Sequence, residues 1–355
     1  MKKASSILKE LTMVFVLIGL LIVFAVLCKV VAGRNFLSLA NLLNILGQNA
    51  NLLIIGVGIT FIMLGGGMDL STGFLVATVG ITMAMLNGSG LGFLPTILIG
   101  IALAVALSAL NGAVYAWLKV FPFIITLATQ YILNGCAFLL TGGVSKTFRE
   151  LSGGFKVLGG SNVLKFLTKL GVNLNGVSLK SGVLVAVVMV ALGSFILNKT
   201  HFGRNVYALG SNPEAVALSG VSVPKMRIAV FALAGFFFGV SQVVNIGYIG
   251  AVNNSMGVGT EFTVMAGCML GGVKMGGGGG KMSNMVVGVL IIGVLNSGMN
   301  FLNMNQYWQY VALGIVLLAA IILDTLQAES VQKRAKLVAG QDPALADTSS
   351  QKKEA

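Results

Sequence analysis

Residues 92–118 read GFLPTILIGIALAVALSALNGAVYAWL, 27 consecutive positions without a charged side chain. A helix satisfies its own backbone hydrogen bonds where no water is available, and a run of roughly 18 or more apolar residues crosses the ~30 Å hydrocarbon layer of a bilayer. Working outward, comparable runs give spans at 11–31, 42–64, 71–87, 92–118, 121–141, 181–198, 228–251, 258–274, 282–301 and 307–327. Hydrophobic residues fill 56% of the 355 positions, charged residues only 9%, and mean hydropathy is +0.94. Soluble domains carry about 25% charged residues, so a water-soluble core is excluded. The expected fold is all-α and polytopic, with about ten transmembrane helices.

The net charge of +13 does not mark a nucleic-acid partner, because the 23 Lys and Arg are scattered between apolar runs and form no basic stripe. They orient the chain instead. With residue 1 in the cytoplasm, the inside segments hold Lys2, Lys3, Lys9, Lys119, Lys199, Arg204, Lys225, Arg227, Lys274, Lys281 and five tail residues from Lys333 to Lys353. That is 15 of 23, against eight outside, of which six fall in the long 142–180 segment. Long loops weigh less in orientation, so both termini are expected in the cytoplasm. The organisation that follows is a membrane domain over 1–327, an external loop at 142–180, a cytoplasmic loop at 199–227, and a polar, disordered cytoplasmic tail at 328–355. Leu11–Val31 is too long for a signal-peptide core and reads as a retained first span. Cys28, Cys136 and Cys268 lie in or beside apolar runs and read as packing residues, so neither a disulfide nor a metal site is expected.

A weak internal repeat is visible. Leu64-Gly65-Gly66, followed by Met68-Asp69 and an apolar run, is echoed 206 positions later by Leu270-Gly271-Gly272 and a further apolar run. Both fall where a span reaches the same side, as in transporters built from parallel repeats. Three amide stripes accompany it. Asn41, Asn44, Gln48 and Asn51 share one face of the second span; Thr126, Gln130 and Asn134 share one face of the fifth; Asn296, Asn300 and Asn303 share one face of the ninth. Amides both donate and accept hydrogen bonds, so the stripes could line a passage for a polyhydroxylated solute. Equally, they could join helices through interhelical bonds worth about 0.6–2 kcal/mol each. Ala104, Ser108 and Gly112 place a small residue at every fourth position and read as a packing stripe.

Ionisable groups at membrane depth are costly and point to function. Asp69 lies in Gly65-Gly66-Gly67-Met68-Asp69-Leu70-Ser71, where helix geometry should break, and reads as a cap or gate-positioning residue ahead of direct solute contact. Glu261, after Gly257, Gly259 and Thr260, would cap the eighth span in the same way. The Gly276–Gly280 run before Lys281 is not a phosphate loop, since that motif needs Gly, four residues, then Gly-Lys-Ser/Thr, and here Met282 follows the lysine. It reads as a flexible turn or broken helix, and the chain shows no means of hydrolysing a nucleotide. His201, the only histidine, sits at a span end with no catalytic partner.

The most informative hydrophilic segment is 199–227. Asn212 can cap, Pro213 suits a first helical position, Glu214 favours the positive helix end, and Gly220 can stop the helix, so a short helix is expected from Pro213 to about Leu218. Its Ala-Val-Leu face could dock into a groove of another protein. Phe202-Gly203-Arg204 through Ser219-Gly220-Val221, together with Gly67-Met68-Asp69-Leu70-Ser71-Thr72-Gly73, Pro122-Phe123-Ile124-Ile125-Thr126-Leu127 and Leu270-Gly271-Gly272, resembles the permeases of ribose-type bacterial ABC sugar importers. The matches keep their order over about residues 35–325. The chain departs from the usual pattern at Lys274-Met275, in the five consecutive glycines, and at Thr72.

The resemblance implies a monosaccharide importer of the bacterial inner membrane. Its partners would be a second permease copy or paralogue, a cytoplasmic ATP-binding subunit and an extracytoplasmic sugar-binding protein, with no cofactor. Carried over, Asn212, Glu214, Ala215, Leu218, Ser219, Gly220 and Val221 would couple to the ATPase. Asn44, Gln48, Asn51, Asp69, Phe123, Thr126, Gln130, Asn134, Glu261, Asn296 and Asn300 are the candidates for the translocation pathway. The rivals are an ion-coupled secondary transporter using Asp69 or Glu261, and a permease for nucleosides or branched-chain amino acids. A membrane enzyme is disfavoured, because no His, Cys and carboxylate cluster stands at catalytic or metal spacing.

Overall fold

The computed structural model describes residues 2–118, 120–144, 147–149, 153–165 and 176–340; Lys119 and the tail beyond residue 340 lie outside the described residues. Among the described residues, seven helices are long and apolar enough to cross a bilayer. They are α1 (Lys2–Ala32), α2 (Leu39–Leu64), α4 (Phe93–Leu118), α5 (Pro122–Leu139), α7 (Ser181–Lys199), α10 (Val223–Ile249) and α12 (Met282–Phe301). Three shorter apolar helices complete the set: α3 (Thr72–Gly88), α11 (Thr260–Leu270) and the first half of α13 (Gln306–Gly340). The protein is thus an all-α polytopic membrane protein. Its one described sheet is a two-stranded ribbon, β1 (Thr147–Arg149) antiparallel to β2 (Ala251–Asn253), with Phe148 opposite Val252. Together with the short α6 (Gly153–Gly159), this ribbon shows that the 142–180 segment is structured in its described parts.

Two expectations change. The run 258–274 does not cross the bilayer as one helix, because α11 has only 11 residues, about 16 Å. Gly257 and Gly259 stand just before it, and Gly259 takes φ +77 as its N-cap, a backbone setting that starts a helix and cannot continue one. The tail after Asp324, expected to be disordered, continues as helix α13 to Gly340. From Gln327 to Ala339 it holds no Gly or Pro and is rich in Ala, Gln, Glu, Lys and Leu, all good helix formers.

Helix α2 is the axis of the bundle: 78% of its apolar window is buried, against 11% for α1, which packs against the bundle mainly through Phe24 and Cys28. Helices α4 and α10 are the most intimate pair. A Cβ on Gly235 would lie 2.6 Å from the Ala104 carbonyl oxygen, and one on Gly239 would lie 2.9 Å from Ile101 Cα. Ser108 Oγ donates to the Phe231 carbonyl at 2.7 Å, and Gly112 closes on the Arg227 and Ile228 backbone. The Ala104, Ser108 and Gly112 stripe therefore faces α10. Small residues permit such contact where lipid supplies no hydrophobic drive.

Helices α2 and α11 finish in the same turn. Gly65, Gly66 and Gly67 N–H groups donate to the carbonyls of Phe61, Met63 and Ile62; Gly271, Gly272 and Val273 donate to those of Gly267, Met269 and Cys268. Gly66 and Gly272 take φ +77 and +81. Both turns lie at the end of the bundle that carries α8 (His201–Ser211) and α9 (Pro213–Leu218), since Gly278 N–H donates to the Leu64 carbonyl at 2.9 Å and Gly210 packs against the same oxygen. The Gly276–Gly280 run is a compact turn, closed by Lys274 N–H donating to Gly279 O and by the Tyr207 hydroxyl donating to Gly280 O, each at 2.8 Å. Burial pushes the Tyr207 phenol above its ordinary value.

Candidate functional site

The chain breaks helix geometry twice inside the bundle, and the two breaks meet. After α2 ends at Leu64, residues 65–71 fold back before α3 begins; after β2, residues 254–259 run back into the bundle before α11 begins. Gly73, in the first turn of α3, lies against the Gly257 carbonyl and the Glu261 carboxyl, so close that no Cβ fits there. Two helix N-termini with partial positive charge thus converge on two carboxyl groups, Asp69 and Glu261, each 1% exposed.

A hydrogen-bonded chain radiates from this junction. Asp69 Oδ1 accepts from Ser71 N–H at 2.8 Å and from Ser71 Oγ at 2.6 Å. Asn111 Nδ2 donates to Ser71 Oγ at 2.9 Å, and Thr129 Oγ1 donates to Asn111 Oδ1 at 2.7 Å. Leu70 N–H donates to Thr126 Oγ1 at 3.1 Å, and Gln130 Nε2 donates to Glu261 Oε1 at 3.4 Å. Asn111 precedes the end of α4, and Thr129 follows the start of α5, by seven residues, so the network sits about 10 Å inside those helix ends. Among the described residues, three buried acceptor oxygens at this junction have no donor: Asp69 Oδ2, Gln130 Oε1 and Glu261 Oε2. Asp69 organises the turn that leads into α3, and Glu261 lies in the first turn of α11, whose N-cap is Gly259.

Of the candidate pathway residues, Asp69, Thr126, Gln130 and Glu261 come together at this junction. Asn134 is half-buried on the next turn of α5, and the Phe123 side chain is 45% exposed, with its carbonyl accepting from Thr126 Oγ1 at 3.3 Å. The other two stripes lie toward the ribbon end. Asn44 and Gln48 are exposed, with Asn44 Oδ1 accepting from the Tyr248 hydroxyl at 3.2 Å, while Asn51 is half-buried. Asn296 is half-buried, and exposed Asn300 accepts from Gln309 at 2.6 Å. Asn111, Ser71 and Thr129 escape sequence reading; the one available signal is a lone amide, Asn111, inside the otherwise apolar 92–118 run.

Helix α9 covers Pro213–Leu218. Asn212 Oδ1 caps it by accepting from Ala215 N–H at 3.0 Å, and Gly220 terminates it at φ +84. Only Val216 is buried; Glu214, Ala215, Ser219 and Gly220 are exposed, Val221 is half-buried, and Leu218 is 90% exposed. The preceding α8, capped by Thr200 Oγ1, was not anticipated, and α10 starts at Val223, earlier than the 228 expected. Among the described residues no group of three His, Cys, Asp or Glu could hold a metal ion.

Residues 41–321 match the family described as branched-chain amino acid transport system / permease component. The chain belongs to this permease family. The permease is 32% identical over 323 residues to the galactose/methyl galactoside import permease protein of Escherichia coli (strain K12), covering 87% of this chain and 94% of that one. It is 32% identical over 310 residues to the ribose import permease protein of the same organism, covering 87% and 92%. The ribose import permease protein of Bacillus subtilis (strain 168) is also 32% identical, over 294 residues, covering 83% and 87%. No solved structure matches the permease.

Proposed function

We propose that the permease is the membrane-spanning subunit of an ATP-binding-cassette importer that brings a monosaccharide, a ribose-like pentose or a hexose, into the cytoplasm. The observation that carries this reading is the junction between α3 and α11. Its three undonated oxygens face inward among amide and hydroxyl groups, and sugar hydroxyls supply the missing donors. The names of the relatives, galactose and ribose import permeases, support the same solute class.

Asp69, Thr126, Gln130, Asn134 and Glu261, with Asn111, would form the inner gate, closed in this conformation. Asn44, Gln48, Asn51, Asn296 and Asn300 would line the approach from the ribbon end. The energy would come from elsewhere. A cytoplasmic ATP-binding subunit would grip α9 through Asn212, Glu214, Ala215, Leu218, Ser219, Gly220 and Val221, and the exposure of Leu218 on a six-residue helix supports such a partner. An extracytoplasmic sugar-binding protein would deliver solute to the ribbon end, and a second permease copy or paralogue would complete the passage. Both termini would then lie in the cytoplasm, with the protein in the bacterial inner membrane. Movement of α9 would rock the bundle between outward and inward access.

The family description favours a second reading, a branched-chain amino acid, whose ammonium group would be held by Asp69 or Glu261. One experiment separates the two. Proteoliposomes containing the permease, its ATP-binding subunit and its binding protein are loaded with ATP and offered labelled ribose, galactose or leucine. Sugar uptake that stops without ATP is the expected result. Uptake of leucine alone, or uptake driven by an ion gradient without ATP, would overturn the proposal.

A further inference from the structure

A groove of about 640 Å³ opens at the α8–α9 end, between the last turn of α4, the start of α5, α9 and the start of α10. Its walls are mostly apolar, with Ala116, Val120, Phe121 and Pro122 on one side and Val223 and Pro224 on the other. Trp117 and Phe121, 75% and 79% exposed, mark the rim as a membrane interface, where aromatic rings sit at headgroup level.

Two charged residues, Arg227 and Glu214, line this space, and among the described residues no ion pair joins them. Arg227 holds its guanidinium 4.2 Å above the Tyr115 ring, and its buried Nε has no hydrogen-bond acceptor. The surroundings add further positive potential. Lys225 shares the first turns of α10, no acidic residue stands there, and the positive end of that helix dipole lies at the same place. A guanidinium with this geometry is completed by an anion with several acceptor oxygens, for which phosphate is well matched. Apolar walls that reach the lipid-facing rim select an anion carrying hydrocarbon.

We infer that the groove binds an anionic phospholipid, its phosphate on Arg227 and its upper acyl methylenes along Phe121, Pro122 and Val223. The site touches α9 through Pro213, Glu214 and Ala217 and touches the α2 turn through Gly66. A lipid seated there would brace α9 against the bundle.

The test uses the full chain, purified in detergent, delipidated and titrated with phosphatidylglycerol, phosphatidylcholine or inorganic phosphate, with bound adducts counted by native mass spectrometry. Phosphatidylglycerol should bind at least about fivefold more tightly than phosphatidylcholine, the factor expected from one basic residue near an anionic surface. Inorganic phosphate at the same concentration should give no adduct. R227Q should abolish the preference, R227K should keep most of it, and R204Q, at an exposed position of α8, should leave it intact. If R227Q cannot be purified, A217W serves, since it fills the groove while leaving the arginine in place, and it should weaken phosphatidylglycerol alone. Equal binding of the two lipids, retention of the preference in R227Q or A217W, or phosphate binding as tight as the lipid would overturn the inference. So would complete loss of the bound lipid on assembly with the ATP-binding subunit or a second copy, which would assign the groove to that protein.

Discussion

Removing one hydrogen bond at Asn212 should disconnect ATP hydrolysis from uptake. Helix α9 is six residues long, far shorter than the ~12–15 residues at which an isolated helix becomes even marginal in water. It is held by burial of Val216, by the positive-φ stop at Gly220, and by the 3.0 Å bond from Ala215 N–H to Asn212 Oδ1. Replacing a capping Asn by Ala costs about 1 kcal/mol, replacing it by Gly only a few tenths, and Ser restores an acceptor. A loss of 1 kcal/mol in so small an element shifts its folded-to-unfolded ratio by about fivefold. In proteoliposomes with the partner proteins, Asn212→Ala should lower solute moved per ATP hydrolysed, by at most that factor, with membrane abundance unchanged, while Asn212→Ser should match the parent. Equal ratios in Asn212→Ala and the parent would refute the reasoning, since the cap would then play no part in coupling.

Five further substitutions probe α9 and the junction. Gly220→Val places a β-branched residue at φ +84, at a cost of about 1–2 kcal/mol, and Glu214→Lys puts the wrong charge at the start of α9; each should leave ATP hydrolysis without matching uptake, and normal uptake in both would remove this segment from coupling. Thr126→Val strips the acceptor from the buried Leu70 N–H, which costs about 1–3 kcal/mol, so thermal unfolding in detergent should begin at lower temperature and Thr126→Ser should recover most of the loss; an unshifted transition would argue against that bond. Gly73→Ala drives a methyl group into the Glu261 carboxyl and the Gly257 carbonyl, an overpacking penalty of about 1–3 kcal/mol, and should stop uptake in a protein still present in the membrane; parental uptake would mean the junction is looser than described. Glu261→Gln turns one acceptor into a donor, so half-saturation for solute should rise by about tenfold if a solute hydroxyl donates there, and unchanged kinetics would exclude that contact.

The bundle was legible because apolar length and lack of charge are local properties, and so was α9, whose Asn212, Pro213 and Gly220 all act within a few residues. The junction was not. Its bonds join Ser71 to Asn111 and Gln130 to Glu261, positions 40 and 131 apart, and no periodicity reports such pairs. Periodicity shows that Thr126 and Gln130 share a face with Asn134, but not what the face meets: Thr126 and Gln130 reach the junction, while Phe123, one turn earlier, is 45% exposed. The short α11 was hidden for a related reason: a hydropathy window records how apolar 258–274 is, and is blind to the left-handed Gly259 that delays the helix. The arginine at the groove mouth was assigned to a loop because α10 begins five residues earlier than its apolar run.

The glycine-to-carbonyl seam between α4 and α10 has a mechanical consequence. Two helices touching through Gly235, Gly239 and Gly112, and stitched by Ser108, have no side-chain cushion between them, so they resist sliding and must travel as a single beam. That beam is rooted at Val223, five residues after α9 ends. A shove on the small helix would therefore arrive at the far ribbon undiminished by side-chain give, and any substitution that enlarges Gly235 should blunt transport from a distance by prising the beam apart.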